Sequence, residues 1–180
     1  MTIATIIHAG LRHSDRATVA LVLMGGGART AYQVGVLRTV ASLLQEQPGG
    51  SRRFPFRVLV GTSAGAINAA FLAARAMHGL QAFEELEAFW GCLRSTDVYR
   101  LNIPFWVRFN RWVAALSLSR HVRTHGAILD NMPLAGMLRQ GIPAAGIEAA
   151  LRSRTLDALA VSASSYTSGV HWTFCQTANR

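Results

Sequence analysis

Twice in its first half the chain runs a short apolar segment straight into a glycine-rich turn and then into helix-forming residues. The first segment is VALVLM at 19–24, followed by Gly25, Gly26 and Gly27; the second is 56–61, which leads into Gly61-Thr62-Ser63-Ala64-Gly65. A continuous apolar run of this length, bounded by glycines, suits a strand buried on both faces rather than a half-exposed one. Residues 28–45 then place Val34, Leu37, Val40, Ala41 and Leu44 at helical spacing, until QPGG at 47–50 stops them. Residues 64–77 read as an almost wholly apolar helix, which must be buried between layers. Strand, helix, strand, helix in this order predicts parallel pairing through right-handed crossovers, and so an α/β three-layer fold around a mainly parallel central sheet.

The remainder extends one domain rather than founding a second. With 180 residues, 51% hydrophobic and 15% charged, the chain can bury a sizeable core and does not have the composition of a disordered protein. Residues 1–17 read as an N-terminal arm and 18–180 as the domain. An amphipathic helix is expected at 81–93, carrying Glu84, Glu85 and Glu87, and short helices broken at Gly141 and Pro143 at 133–151. A strand at 158–163, the turn SSYTSG and a strand at 170–175 predict a hairpin. Cys92 and Cys175 match no metal or redox spacing and are expected to be reduced core thiols.

The turn at 61–65 is Gly-x-Ser-x-Gly between a strand and a helix, the setting that gives this motif chemical meaning. So sharp a turn requires residues without bulk two positions before and two after the serine, and Gly61 and Gly65 satisfy this. Ser63 would then project from the tip at a helix N-terminus, where open amides and the positive dipole end favour a developing anion. The competing reading is a chance match in a chain with 16 glycines, the serine serving as a helix cap. The turn at 25–27 can point several N–H groups into one concavity, suited to phosphate or an oxyanion. A Walker loop is excluded because the chain has no Lys. A dinucleotide site would want glycine where Thr30 stands and an acidic residue at the end of the next strand, whereas Glu46 precedes that strand. A nucleotide-binding α/β domain is therefore a minor alternative. One explanation covers both turns: a nucleophilic hydroxyl from one, and amides for the tetrahedral oxyanion from the other.

LVLMGGGARTAYQVGVL at 21–37 followed by VLVGTSAGAINAAF at 58–71 resembles the patatin-like phospholipase family of α/β lipid acyl hydrolases. The resemblance implies a serine lipid acyl hydrolase acting through an acyl-Ser63 intermediate without cofactor or metal. It implies an oxyanion hole at Gly25, Gly26 and Gly27, joined by Ala64, with Arg29 supporting the loop. Thr30 departs from the glycine often found there. The family's base is an aspartate in a short Asp-Gly-Gly or Asp-Gly-Ala motif on a later strand, and this sequence contains no Asp-Gly. Asp15, Asp97, Asp130 and Asp157 do not match it; Asp130 reads as a cap or turn residue, and none of the six histidines has the context of a triad member. The expectation is a domain truncated at its C-terminus, part of a longer enzyme. The alternative, from a different class, is a catalytically silent fragment that binds lipid or a partner.

The formal charge of +9 is carried by Arg alone, which points either to acidic partners or to a compositional bias. In NIPFWVRFNRWVAALSLSRHVR at 102–123, Phe105, Trp106, Phe109 and Trp112 share a helical face while Arg108 and Arg111 lie off it. Such a helix can rest at a membrane surface, or pack over the sheet with its arginines solvated. No recognition motif supports nucleic acid as a partner. No signal-peptide pattern occurs in 1–16, and no window reaches about 18 apolar residues, so a cytoplasmic chain, peripheral at membranes or exported without such a signal, is expected.

Overall fold

The computed structural model describes residues 18–48, 51–94, 100–101, 129–130, 132–165 and 168–178. Along the chain these form β1 (Ala20–Leu23), a 3-10 turn (Gly27–Thr30), α1 (Ala31–Glu46), β2 (Val58–Thr62), α2 (Ala64–Arg75), a second 3-10 turn (Ala76–His78) and α3 (Gln81–Cys92). There follow β3 (Arg100–Leu101), β4 (Leu129–Asp130), α4 (Met132–Gly141), α5 (Ala144–Arg152), β5 (Ala158–Ser164) and β6 (His171–Thr177). The arm at 1–17 and the aromatic, arginine-rich segment with Phe105, Trp106, Arg108, Phe109, Arg111 and Trp112 lie outside the described residues.

The main sheet has the order β1-β2-β5-β6, with β1, β2 and β5 parallel and β6 antiparallel to β5. This is the α/β, mainly parallel architecture that alternating strands and helices predict, and the expected hairpin closes it. Its register sets Leu21 beside Leu59 and Leu159, and Leu23 beside Gly61 and Val161. Both parallel crossovers advance in the same direction across the sheet, so right-handedness carries their helices to the same face. Leu23, Leu59 and Leu159 are buried in the core on that face. The opposite face is open among the described residues, with Val22 66% exposed. The expectation that β1 is buried on both faces is corrected accordingly: it is an edge strand, and Val19, Val22 and Met24 are exposed.

Helix α2 is the centre of the packing. Its composition, AGAINAAFLAAR, buries Asn68, Ala69, Phe71, Leu72, Ala73 and Ala74, and each large apolar side chain so buried contributes about 1.5–3 kcal/mol. Helix α5 comes so close that a Cβ on Gly146 would stand 3.2 Å from Ala74 Cα. Helix α3 turns Ala82, Phe83 and Leu86 inward, with Phe83 stacked on Phe54 at 5.4 Å. Its outer face carries the predicted acids, of which Glu84 and Glu87 meet Arg38 of α1 at 3.1 and 3.4 Å. At the amino ends of β2 and β5, Arg57 forks onto Asp157, Nε to Oδ2 at 3.0 Å and a terminal nitrogen to Oδ1 at 2.6 Å.

Two sequence expectations are overturned here. Cys92 and Cys175 are free but exposed rather than in the core, because one ends α3 and the other lies on the edge strand β6. Asp130 is not in a turn: it pairs with Arg100 in a two-residue antiparallel ladder.

Candidate active site

Both glycine-rich turns lie at the carboxyl ends of adjacent parallel strands, β1 and β2. Ser63, between β2 and α2, has φ 55 and ψ −124, and is one of two described non-glycine residues with positive φ. That conformation costs of order 1–3 kcal/mol and persists only where the surroundings impose it. The surroundings are the two glycines. A Cβ on Gly61 would fall 2.6 Å from Ala66 Cα, and one on Gly65 would fall 2.6 Å from the Met24 carbonyl oxygen, with further backbone atoms closer still. Both clashes are backbone against backbone, so neither is relieved by a rotamer. The Ser63 N–H donates to the Ser162 carbonyl of β5 at 2.9 Å, and the Ser63 carbonyl accepts from Ala66 N–H at 2.9 Å. The hydroxyl is left on an exposed tip, ahead of the open first-turn amides of α2, which begin at Ala64.

The first turn is folded against this tip. A Cβ on Gly25 would lie 3.1 Å from Ser63 Cβ and 3.8 Å from Ser63 Oγ, so a side chain there would press on the hydroxyl. Gly27 has φ 56, in the left-handed region, and its missing Cβ meets nothing within 4 Å, so its requirement is conformational. The Arg29 N–H closes the turn onto the Gly26 carbonyl at 3.2 Å, while the Arg29 side chain is exposed. Thr30, where glycine was the pattern, is buried and braces the turn by donating from Oγ1 to the Gly27 carbonyl at 2.7 Å.

A polar chain that the sequence reading did not single out ties the turns together. Asn68, fully buried on α2, accepts from Trp90 Nε1 of α3 at 2.7 Å and directs its amide toward the Thr30 carbonyl at 3.4 Å and Gln33 Oε1 at 3.5 Å. Gln33 Nε2 in turn donates to the Met24 carbonyl at 2.8 Å. The available signal was an asparagine inside an otherwise apolar helix, which must find partners when buried.

Among the described residues no side chain hydrogen-bonds to Ser63 Oγ. His171 Nδ1 is paired with Ser164 Oγ at 2.8 Å, and His78 Nδ1 with Glu85 at 2.8 Å. Asp157 precedes β5, five residues before the Ser162 carbonyl that holds Ser63, a distance along the strand of about 16 Å. No three His, Cys, Asp or Glu side chains of the described residues converge as a metal site requires, and no described helix is long and apolar enough to cross a membrane.

Residues 21–169 match the model of the patatin-like phospholipase family, a span that takes in both glycine turns, α2 and the whole of β5. The chain belongs to the patatin-like phospholipase family. No curated protein and no solved structure matches it. Membership in a family of phospholipases indicates hydrolysis as the reaction class and a lipid as the partner. In this patatin-like chain the two turns read from the sequence as one site are also in van der Waals reach of each other.

Proposed function

We propose that this chain is a serine acyl hydrolase that cleaves a carboxylic ester of a phospholipid or related lipid. The observation that carries the reading is the positive-φ Ser63 on a turn that only glycine flanks permit, with Gly25 against its side chain. Ser63 Oγ attacks the acyl carbon and gives its proton to a base. The amides of Gly25, Gly26, Gly27 and Ala64 donate to the oxyanion of the tetrahedral intermediate. Collapse expels the alcohol, which takes up the proton and leaves acyl-Ser63. Water, deprotonated by the same base, then releases the carboxylic acid and restores Ser63. Arg29 supports the glycine turn. The resemblance assigns the base to an aspartate of an Asp-Gly pair, and this sequence has none.

That gap motivates a second reading, in which the chain binds lipid or a partner without turning it over. A fluorophosphonate probe separates the two, because phosphonylation requires an activated hydroxyl beside a formed oxyanion hole. Mass-spectrometric labelling at Ser63, lost in Ser63→Ala, is the expected result. A folded chain that sediments with phospholipid vesicles but takes no label refutes the hydrolase and supports the silent module. Loss of sedimentation in Arg108→Ala, Arg111→Ala or Trp112→Ala variants would place the membrane contact on the segment at 105–112.

A further inference from the structure

Helix α1 carries two apolar faces, and the described residues cover one of them. Val34, Leu37 and Ala41 are buried in the core. At about 100° per residue, Tyr32, Val36, Thr39 and Leu43 fall on the side turned away from it. Tyr32, Val36 and Leu43 are 79%, 45% and 58% exposed, and Thr39 is exposed between them. Their spacing of four, three and four residues is that of a helix–helix seam. Gly35, at the margin of this face, has nothing within 4 Å of where a Cβ would stand, so a second helix can approach closely. No charged residue is among the four. Along one margin the Arg38 guanidinium is engaged by Glu84 and Glu87 of α3.

We infer that this face joins two copies of the chain in a two-fold dimer, α1 against α1. The inference stands independently of the hydrolase reading of Ser63. A two-fold contact asks for one patch that suits itself, and an uncharged apolar seam does. A lipid surface is the poorer occupant, because the half-exposed Glu84 and Glu87 border the face and would meet anionic head groups with like charge. The area sets the strength of the contact. At about 60–120 Å² for an aliphatic side chain and about 150–250 Å² for an aromatic one, the exposed parts of Tyr32, Val36 and Leu43 offer roughly 200–300 Å² per copy. Thr39, Gly35 and a rim of Arg38, Glu84 and Glu87 bring the face to on the order of 500 Å², short of the ~800 Å² per partner of a standard interface. The dimer is therefore weak and reversible, with a micromolar Kd.

Sedimentation velocity of the full chain across about 1–200 μM should show the weight-average mass rising from 19.5 kDa towards twice that value. Leu43→Arg and Val36→Arg both change exposed side chains, so each should keep the wild-type circular dichroism and urea midpoint. Each should raise Kd by about tenfold or more, because a two-fold contact counts every substitution twice. Phe174→Arg, on the exposed apolar strip of β6, should leave the dimer unchanged. A mass that stays at one chain over the whole range overturns the inference. So does a dimer that both α1 substitutions leave intact, and its loss in Phe174→Arg would place the contact on β6. A monomer that sediments with phosphatidylcholine vesicles and is released by Leu43→Arg also overturns it, since the face would then be a lipid anchor.

Discussion

The strain at Ser63 makes a prediction that separates folding from chemistry. Ser63→Gly and Ser63→Ala both delete an exposed hydroxyl that no described side chain holds, so loss of contacts is nearly the same in the two. Alanine keeps the Cβ and therefore the cost of φ 55, whereas glycine occupies positive φ freely. Relief of roughly 1–3 kcal/mol of strain, less roughly 0.5–1 kcal/mol for the greater backbone entropy of unfolded glycine, leaves Ser63→Gly about 0–2.5 kcal/mol more stable than Ser63→Ala. Urea titration read by tryptophan fluorescence gives the difference at a common m-value. In thermal unfolding it amounts to about 2–4 °C for each kcal/mol in a chain of this size. Neither variant should take a fluorophosphonate label. A glycine variant less stable than the alanine variant would show that the turn does not strain its serine by the expected amount, and the argument for an imposed nucleophile geometry would fail.

Asn68→Leu should cost about 1–3 kcal/mol for leaving Trp90 Nε1 without its partner, and labelling should fall further than the folded fraction does, since the glycine turn loses its tie to α2. Gly25→Ala should fold, because its Cβ would meet Ser63 Cβ at 3.1 Å and not a rigid clash, but it should label at least tenfold more slowly. Gly65→Ala should instead fail to accumulate as folded protein, because its Cβ would enter the backbone of β1 at Leu23 and Met24; circular dichroism and solubility decide between these outcomes. Arg38→Ala, which removes the half-exposed pairs with Glu84 and Glu87, should cost no more than about 1 kcal/mol.

Much of the sheet was legible because β1 and β2 carry their signal locally, in apolar runs bounded by glycine. The hairpin of β5 and β6 was legible for the same reason, since SSYTSG can do little but turn. The sharp turn at 61–65 was legible because part of its requirement is steric and local: a side chain at Gly61 would enter the backbone of Gly65 and Ala66, and that spacing is visible in a sequence. What was not legible depends on neighbours distant in the chain. Asn68 has meaning only beside Trp90 and Thr30, which are 22 and 38 residues away. The open face of β1 follows from two crossovers advancing the same way, and strand order cannot be read from strand composition. The cysteines were misplaced because their residue type favours burial on average, whereas the end of α3 and an edge strand decide these two cases.

The contact of Gly65 with β1 unites the two motifs into one mechanical object. Because Gly65 lacks a Cβ, the first turn of α2 lies directly on the Leu23 and Met24 carbonyls, and the glycine turn begins at the next residue. The position of the nucleophile helix therefore fixes where the amides of Gly25 to Gly27 start, and Gln33 and Thr30 fix where they end, through the Met24 and Gly27 carbonyls. On the proposed hydrolase reading, oxyanion donors are useful only if held before charge develops, and the contact of Gly65 with Leu23 and Met24 joins the turn that would carry them to the turn that carries Ser63. Loosening the tie between the two turns should therefore move both together: Asn68→Leu should lose stability and reactivity in concert, whereas Gly25→Ala should lose reactivity alone.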